Sequence, residues 1–132
     1  MKNGFSLFEM LLVLSLMALL GTFVIPNIKK IQNKSYAMAS EVNLRTFQSS
    51  VENYYLENNA YPVGNFGAED LFKVLKEGEF LNSSPSNPYN KKAYANSDTK
   101  GKITYVSSSG DDYSLTLYDS AGQVVQLALN KL

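Results

Sequence analysis

The chain predicts an α+β fold: one long N-terminal α-helix, its first half transmembrane, packed on a small antiparallel sheet. Three observations predict it. An apolar run extends from Phe5 to Ile25 with Glu9 as its only ionisable side chain. A helical pattern then continues past Pro26 to about Tyr55. The C-terminal third alternates apolar and polar residues in three short stretches separated by turn sequences.

At about 1.5 Å of rise per residue, the run from Phe5 to Ile25 is long enough to cross the roughly 30 Å hydrocarbon core of a bilayer. A helix apolar on every side must be wholly surrounded by apolar material, which lipid supplies. A cleavable secretory signal would end in small residues of the A-x-A kind. This run ends Leu19-Leu20-Gly21-Thr22-Phe23-Val24-Ile25-Pro26, a poor site of that type. The small residue placed for a peptidase is Gly4, on the other side of the run, so that cutting after it leaves the helix attached with Phe5 as the new amino terminus.

Gly4-Phe5-Ser6-Leu7-Phe8-Glu9-Met10-Leu11-Leu12-Val13-Leu14, with Pro26 downstream, resembles the processing motif of type IV prepilins and of type II secretion pseudopilins. The resemblance implies a type IV pilin-like fold, cleavage after Gly4 by a membrane aspartic prepilin peptidase, N-methylation of Phe5, and assembly into a helical filament through Phe5, Glu9 and Pro26. It divides the chain into a leader (residues 1–4), a transmembrane and assembly half of the helix (5–26), an amphipathic half (27–57) and a globular domain (58–132).

Glu9 has two physical readings. A carboxylate in lipid costs a few kcal/mol and needs a partner. The ammonium of a trimmed Phe5, in a neighbouring subunit whose helix is staggered along the axis, is the expected one. Within a single chain, Glu9 would meet the positive end of its own helix dipole and cap a monomeric anchor.

Twelve basic and twelve acidic residues balance, and nothing argues for a nucleic-acid partner. Lys29, Lys30 and Lys34 lie where headgroups would be, and Lys91, Lys92, Lys100 and Lys102 could form a patch; both clusters read as solvated loops. The positive-inside rule sets Lys2 against Lys29, Lys30 and Lys34 and so would keep the C-terminal domain inside the cell. The prepilin resemblance implies the reverse, a single-pass protein of a bacterial inner membrane with the domain exported to the periplasm or beyond. Its motif is the more specific signal.

There is no cysteine and no histidine, which removes disulfides, thiolate metal sites and Ser-His or Cys-His nucleophile schemes; the chain is not expected to be an enzyme. Gly64-Asn65-Phe66-Gly67 is no phosphate-binding fingerprint and reads as a loop. Glu69-Asp70 and Asp111-Asp112 are sequence neighbours, read as a helix start and a turn. Many type IV pilins of Gram-negative bacteria close a C-terminal loop with a disulfide, so the missing cysteines favour pseudopilins.

Pro26 cannot donate to the Thr22 carbonyl, so a bend or local unwinding is expected between Gly21 and Pro26. Beyond it Ala37, Ser40, Leu44, Phe47, Val51 and Tyr54 share one arc of the helix, and Leu44, Phe47, Val51 and Tyr54 are the expected packing residues against the sheet. Val24, Ile28, Ile31, Met38 and Val42 form a second, opposed stripe that invites another helix. Asn58-Asn59-Ala60-Tyr61-Pro62 is the stop, and Glu69–Glu77 a short helix with Leu71, Phe72, Val74 and Leu75 inward. Strands are expected at Ile103–Ser107, Tyr113–Tyr118 and Val124–Leu129, with turns at Ser109–Asp112 and Asp119–Gly122. The residues after Asn58 are marginal for an independent core, so the helix face must complete it.

Tyr61-Pro62 after the long helix, and Asn87-Pro88-Tyr89 before the sheet, are similar to type II secretion major pseudopilins. That resemblance also implies calcium in a C-terminal loop. Ser109, Asp111, Asp112 and Asp119 could supply oxygens, but a strand at Val124–Leu129 stands where the relatives carry their acidic loop, so no metal site is expected. The expected role is a structural pseudopilin subunit of a type II secretion system, forming a homo-oligomeric filament with minor pseudopilins on an inner-membrane platform after residence in the membrane. The alternatives are a subunit of a true type IV pilus, serving adhesion, motility or DNA uptake, and a monomeric membrane-anchored binding module.

Overall fold

A computed structural model describes residues 3–130, except for the side chains of Pro26, Leu129 and Asn130; of the predicted leader, Met1 and Lys2 lie outside the described residues. The elements are α1 (Leu7–Asn58), β1 (Gly64–Gly67), α2 (Ala68–Glu77), β2 (Ile103–Ser107), β3 (Tyr113–Tyr118) and β4 (Val124–Asn130). The chain divides into two compact units, one up to Ser35 and one from Tyr36 onward. The helical assignment of α1 is continuous through Gly21 and Pro26, so the expected unwinding there is not seen.

The first unit is helix without a core. Its large apolar side chains from Phe5 to Ile31 are all exposed, and the segment is long and apolar enough to cross a membrane.

The second unit holds the core. The strands form one antiparallel sheet in the order β1-β2-β3-β4. Alternation puts Ile103, Tyr105, Tyr113, Leu115 and Leu117 on its buried face, where they meet Leu44, Phe47 and Val51 of α1 and Leu71 and Leu75 of α2. Each such side chain contributes roughly 1.5–3 kcal/mol when fully buried. Phe72 and Val74 are half-buried beside them.

Helix α1 ends as its asparagines allow. Asn59 takes a left-handed φ of 54° and donates its N–H to the Tyr55 carbonyl at 2.8 Å, and Tyr61-Pro62 then turns the chain toward the sheet. One expectation is corrected: Gly64–Gly67 is not a loop but strand β1, with Phe66 opposite Tyr105 and its ring stacked at 5.9 Å. Two glycines and four residues give no alternation to read, and the pairing that makes it a strand comes from some forty residues downstream.

Candidate functional site

The head of α1 is built by Ser6 and Glu9. The Ser6 N–H donates to Glu9 Oε2 at 2.7 Å, and the Glu9 N–H donates to Ser6 Oγ at 3.2 Å. This reciprocal pair is a capping box, which satisfies two amide donors that a helix start leaves orphaned. In the single chain, therefore, Glu9 serves its own helix. The Ser-x-x-Glu spacing at Ser6-Leu7-Phe8-Glu9 carries that signal in the sequence. Around it Phe5 is 85% exposed, and nothing lies within 4 Å of a Cβ built at Gly4, so the Gly4–Phe5 bond is open to approach.

Along the apolar run the few hydroxyls look after themselves. Ser15 Oγ donates to the Leu11 carbonyl and Thr22 Oγ1 to the Leu19 carbonyl, both at 2.7 Å. Neither then requires water, which is what a helix in hydrocarbon demands. Val24, Ile28, Ile31, Met38 and Val42, the second stripe, are all exposed.

The opposite face of α1 carries the domain. Ser40, Leu44, Phe47 and Val51 are buried, Ala37 and Tyr54 half-buried, with the Tyr54 ring 5.2 Å from Phe80 and the Phe47 ring 6.1 Å from Tyr94. One polar clamp runs through this contact: Glu52 accepts from Tyr113 Oη at 2.7 Å and from Tyr61 Oη at 3.1 Å. Burial first, and the Glu52 carboxylate second, raise the Tyr113 phenol well above its ordinary value, while burial does the same to Tyr105, whose Oη donates to the Pro62 carbonyl. Helix, stop and sheet are thus tied at one glutamate, whose partners lie nine and sixty-one residues along the chain.

Asn87, almost fully buried, organises the loop before the sheet. Its Nδ2 donates to Asp98 Oδ2 and to the Lys100 carbonyl, and its Oδ1 accepts from the Tyr89 N–H. Asp98 also accepts from Asn90 Nδ2 and the Ala95 N–H. Gly101 closes the loop at φ +66°, where a Cβ would come within 2.8 Å of the Tyr89 ring. Asn87, at the head of Asn87-Pro88-Tyr89, therefore acts as a buried hydrogen-bonding hub.

The acidic pairs fall where turns and helix starts need them. Glu69 and Asp70 sit in the first turn of α2, bridged by Lys73 and bonded to Asn96. The Lys73 hydrogen bond lowers the Glu69 carboxyl, which in turn raises the Lys73 ammonium. The oxygens considered for calcium do not fit one site. Asp111 and Asp112 precede β3 and Asp119 follows it, some 20 Å away along the strand. Asp119 Oδ1 is already taken by the N–H groups of Ala121 and Gln123, and no cluster of three acids suited to a metal exists among the described residues.

No established family profile matches the chain, and no solved structure does. Curated proteins do. The chain is 25% identical over 111 residues to the type II secretion system core protein G of Vibrio cholerae, covering 77% of this chain and 76% of that one. It is 25% identical over 121 residues to the protein of the same name from Pseudomonas aeruginosa, covering 83% and 84%. The Aeromonas hydrophila protein of that name is 22% identical over 97 residues, covering 67% and 68%. A long helix with an apolar head, packed through its later turns on a four-stranded antiparallel sheet, is thus found in a chain that is similar over most of its length to type II secretion system core proteins G.

Proposed function

We propose that the chain is a pseudopilin, a structural subunit that polymerises into the periplasmic filament of a type II secretion system. The observation that carries this reading is the pairing of an exposed apolar helix, headed by Gly4-Phe5 and Glu9, with similarity to core protein G over most of the chain. A lone folded domain has no use for two dozen residues of bare apolar helix; a membrane and then a bundle of like helices both do.

In this reading residues 1–4 are a leader removed by a prepilin peptidase, and Phe5 is N-methylated. Residues 5–26 first anchor the subunit in the inner membrane with the domain exported, and residues 27–57 and 58–132 form the part that stands outside. An assembly platform lifts the subunit out of the lipid. The freed Phe5 ammonium of one copy then competes with the Ser6 N–H for the Glu9 carboxylate of its neighbour. The ammonium brings a full positive charge to the carboxylate where the amide brings only a dipole, so the neighbour's amine wins once the two meet away from water.

The test is Glu9→Val in cells that carry the assembly machinery. Cleavage after Gly4 and protease resistance of the domain should persist while filaments are lost. Filaments of ordinary number and length from that variant would refute the reading.

A further inference from the structure

Within the unit that begins at Tyr36, the outward face of α1 presents Met38, Val42, Arg45, Ser49 and Leu56. Their spacing of four, three, four and seven residues is that of a helix-to-helix seam. Met38, Val42 and Leu56 are 59%, 61% and 75% exposed. Arg45 is exposed too and borders an open groove of about 390 Å³ with Val42, Thr46, Ser49 and Ser50.

A guanidinium on a seam is costly to cover unless an acid meets it there. Three acids of this stretch of α1 are near enough in sequence to consider. Glu52 holds Tyr61 and Tyr113. Glu41 stands four residues before Arg45, the spacing of an intrahelical pair, yet the two form no ion pair among the described residues. Glu57 lies twelve residues on.

We propose that Arg45 of one copy pairs with Glu41 of the next, and that this pair sets the axial step between neighbouring subunits. The proposal rests on the filament reading above. The step from Glu41 to Arg45 equals the step from Phe5 to Glu9, four residues or about 6 Å of helical rise. One four-residue step between copies therefore suits both contacts, Phe5 with Glu9 in the first unit and Glu41 with Arg45 in the second. Pairing Arg45 with Glu57 would need a twelve-residue step, which parts Phe5 from Glu9.

The chain has no cysteine, so introduced thiols report cleanly. In full-length chain expressed with its assembly machinery, copies bearing Glu41→Cys and copies bearing Arg45→Cys should, when mixed and oxidised, give at least about fivefold more covalent dimer than either alone. Dimer formed instead between Arg45→Cys and Glu57→Cys copies would overturn the proposal. Arg45→Glu or Glu41→Arg alone should cut filament yield on the order of tenfold through like-charge contact, and the two together in one chain should restore it to within about twofold. Ordinary yield from both single reversals would overturn the Arg45–Glu41 pair and leave the filament reading standing. Absence of any filament from the unsubstituted chain under the same conditions would remove the filament reading itself.

Discussion

Helix α1 passes through two units that treat the same kind of side chain in opposite ways. Before Ser35, leucine after leucine is half or more exposed, as at Leu14 (62%) and Leu20 (63%). After Tyr36, Leu44, Phe47 and Val51 are at 0%. Helix propensity does not separate the two regions; what separates them is whether the chain supplies its own cover. The later turns meet a sheet that the same chain folds, so their burial is written in one molecule. The earlier turns meet nothing, so their burial has to come from lipid or from other copies. A single helix thereby belongs in its later half to a domain, and in its earlier half to an apolar surrounding that the domain does not supply.

The comparison can be broken most forcefully by exchanging the fates of two residues on the same helix. Leu44→Asp or Phe47→Asp leaves a carboxylate in the packed face and should unfold the second unit outright, a loss above about 4 kcal/mol. Met38→Asp should leave the unit folded and reduce only assembly. Proteolysis of the membrane-bound chain against filament yield tells them apart; a protease-resistant Leu44→Asp domain would end the claim that α1 completes the core.

Next in size is the Glu52 clamp. Glu52→Ala removes the acceptor that Tyr61 and Tyr113 share and should cost about 1–3 kcal/mol, read as a lower Tm of the domain. Tyr113→Phe should cost about 1 kcal/mol, since it removes one of the two bonds. A Glu52→Ala Tm equal to that of the unsubstituted chain would mean the clamp is ornamental.

A smaller and slower effect appears on alkaline titration. Burial raises the phenols of Tyr105, Tyr113 and Tyr94 above the ordinary value of 10.0. In the unfolded chain these phenols ionise near that value while the folded ones stay neutral. The unfolded state then holds fewer protons, and stability is full below about pH 10 and falls as pH rises above it. Tyrosinate absorbance should therefore lag the free-tyrosine curve and catch up at the unfolding transition; smooth titration of all nine tyrosines near pH 10 would contradict the buried cluster.

How much of this could be read from residues alone follows the range of the interactions. The long helix, its stop at Asn58-Asn59, helix α2 and the three later strands rest on local pattern, and Ile103–Ser107 and Tyr113–Tyr118 match the strands residue for residue. Strand β1 and the Glu52 clamp rest on partners far along the chain, with Phe66 answering Tyr105 and Glu52 answering Tyr113, so no window of sequence holds them. The Ser6 capping box was local and readable from its spacing. The Gly4–Phe5 motif is the reverse case. It is plain in the sequence and marked in the fold only by its exposure.

The most direct test of a helix that leaves its own molecule for a bundle of copies is the mass of the chain recovered from membranes of cells holding an active prepilin peptidase. The account predicts a product lacking Met1 to Gly4, beginning at Phe5 and carrying one added methyl group. The intact chain still beginning at Met1, as the only product, would contradict it.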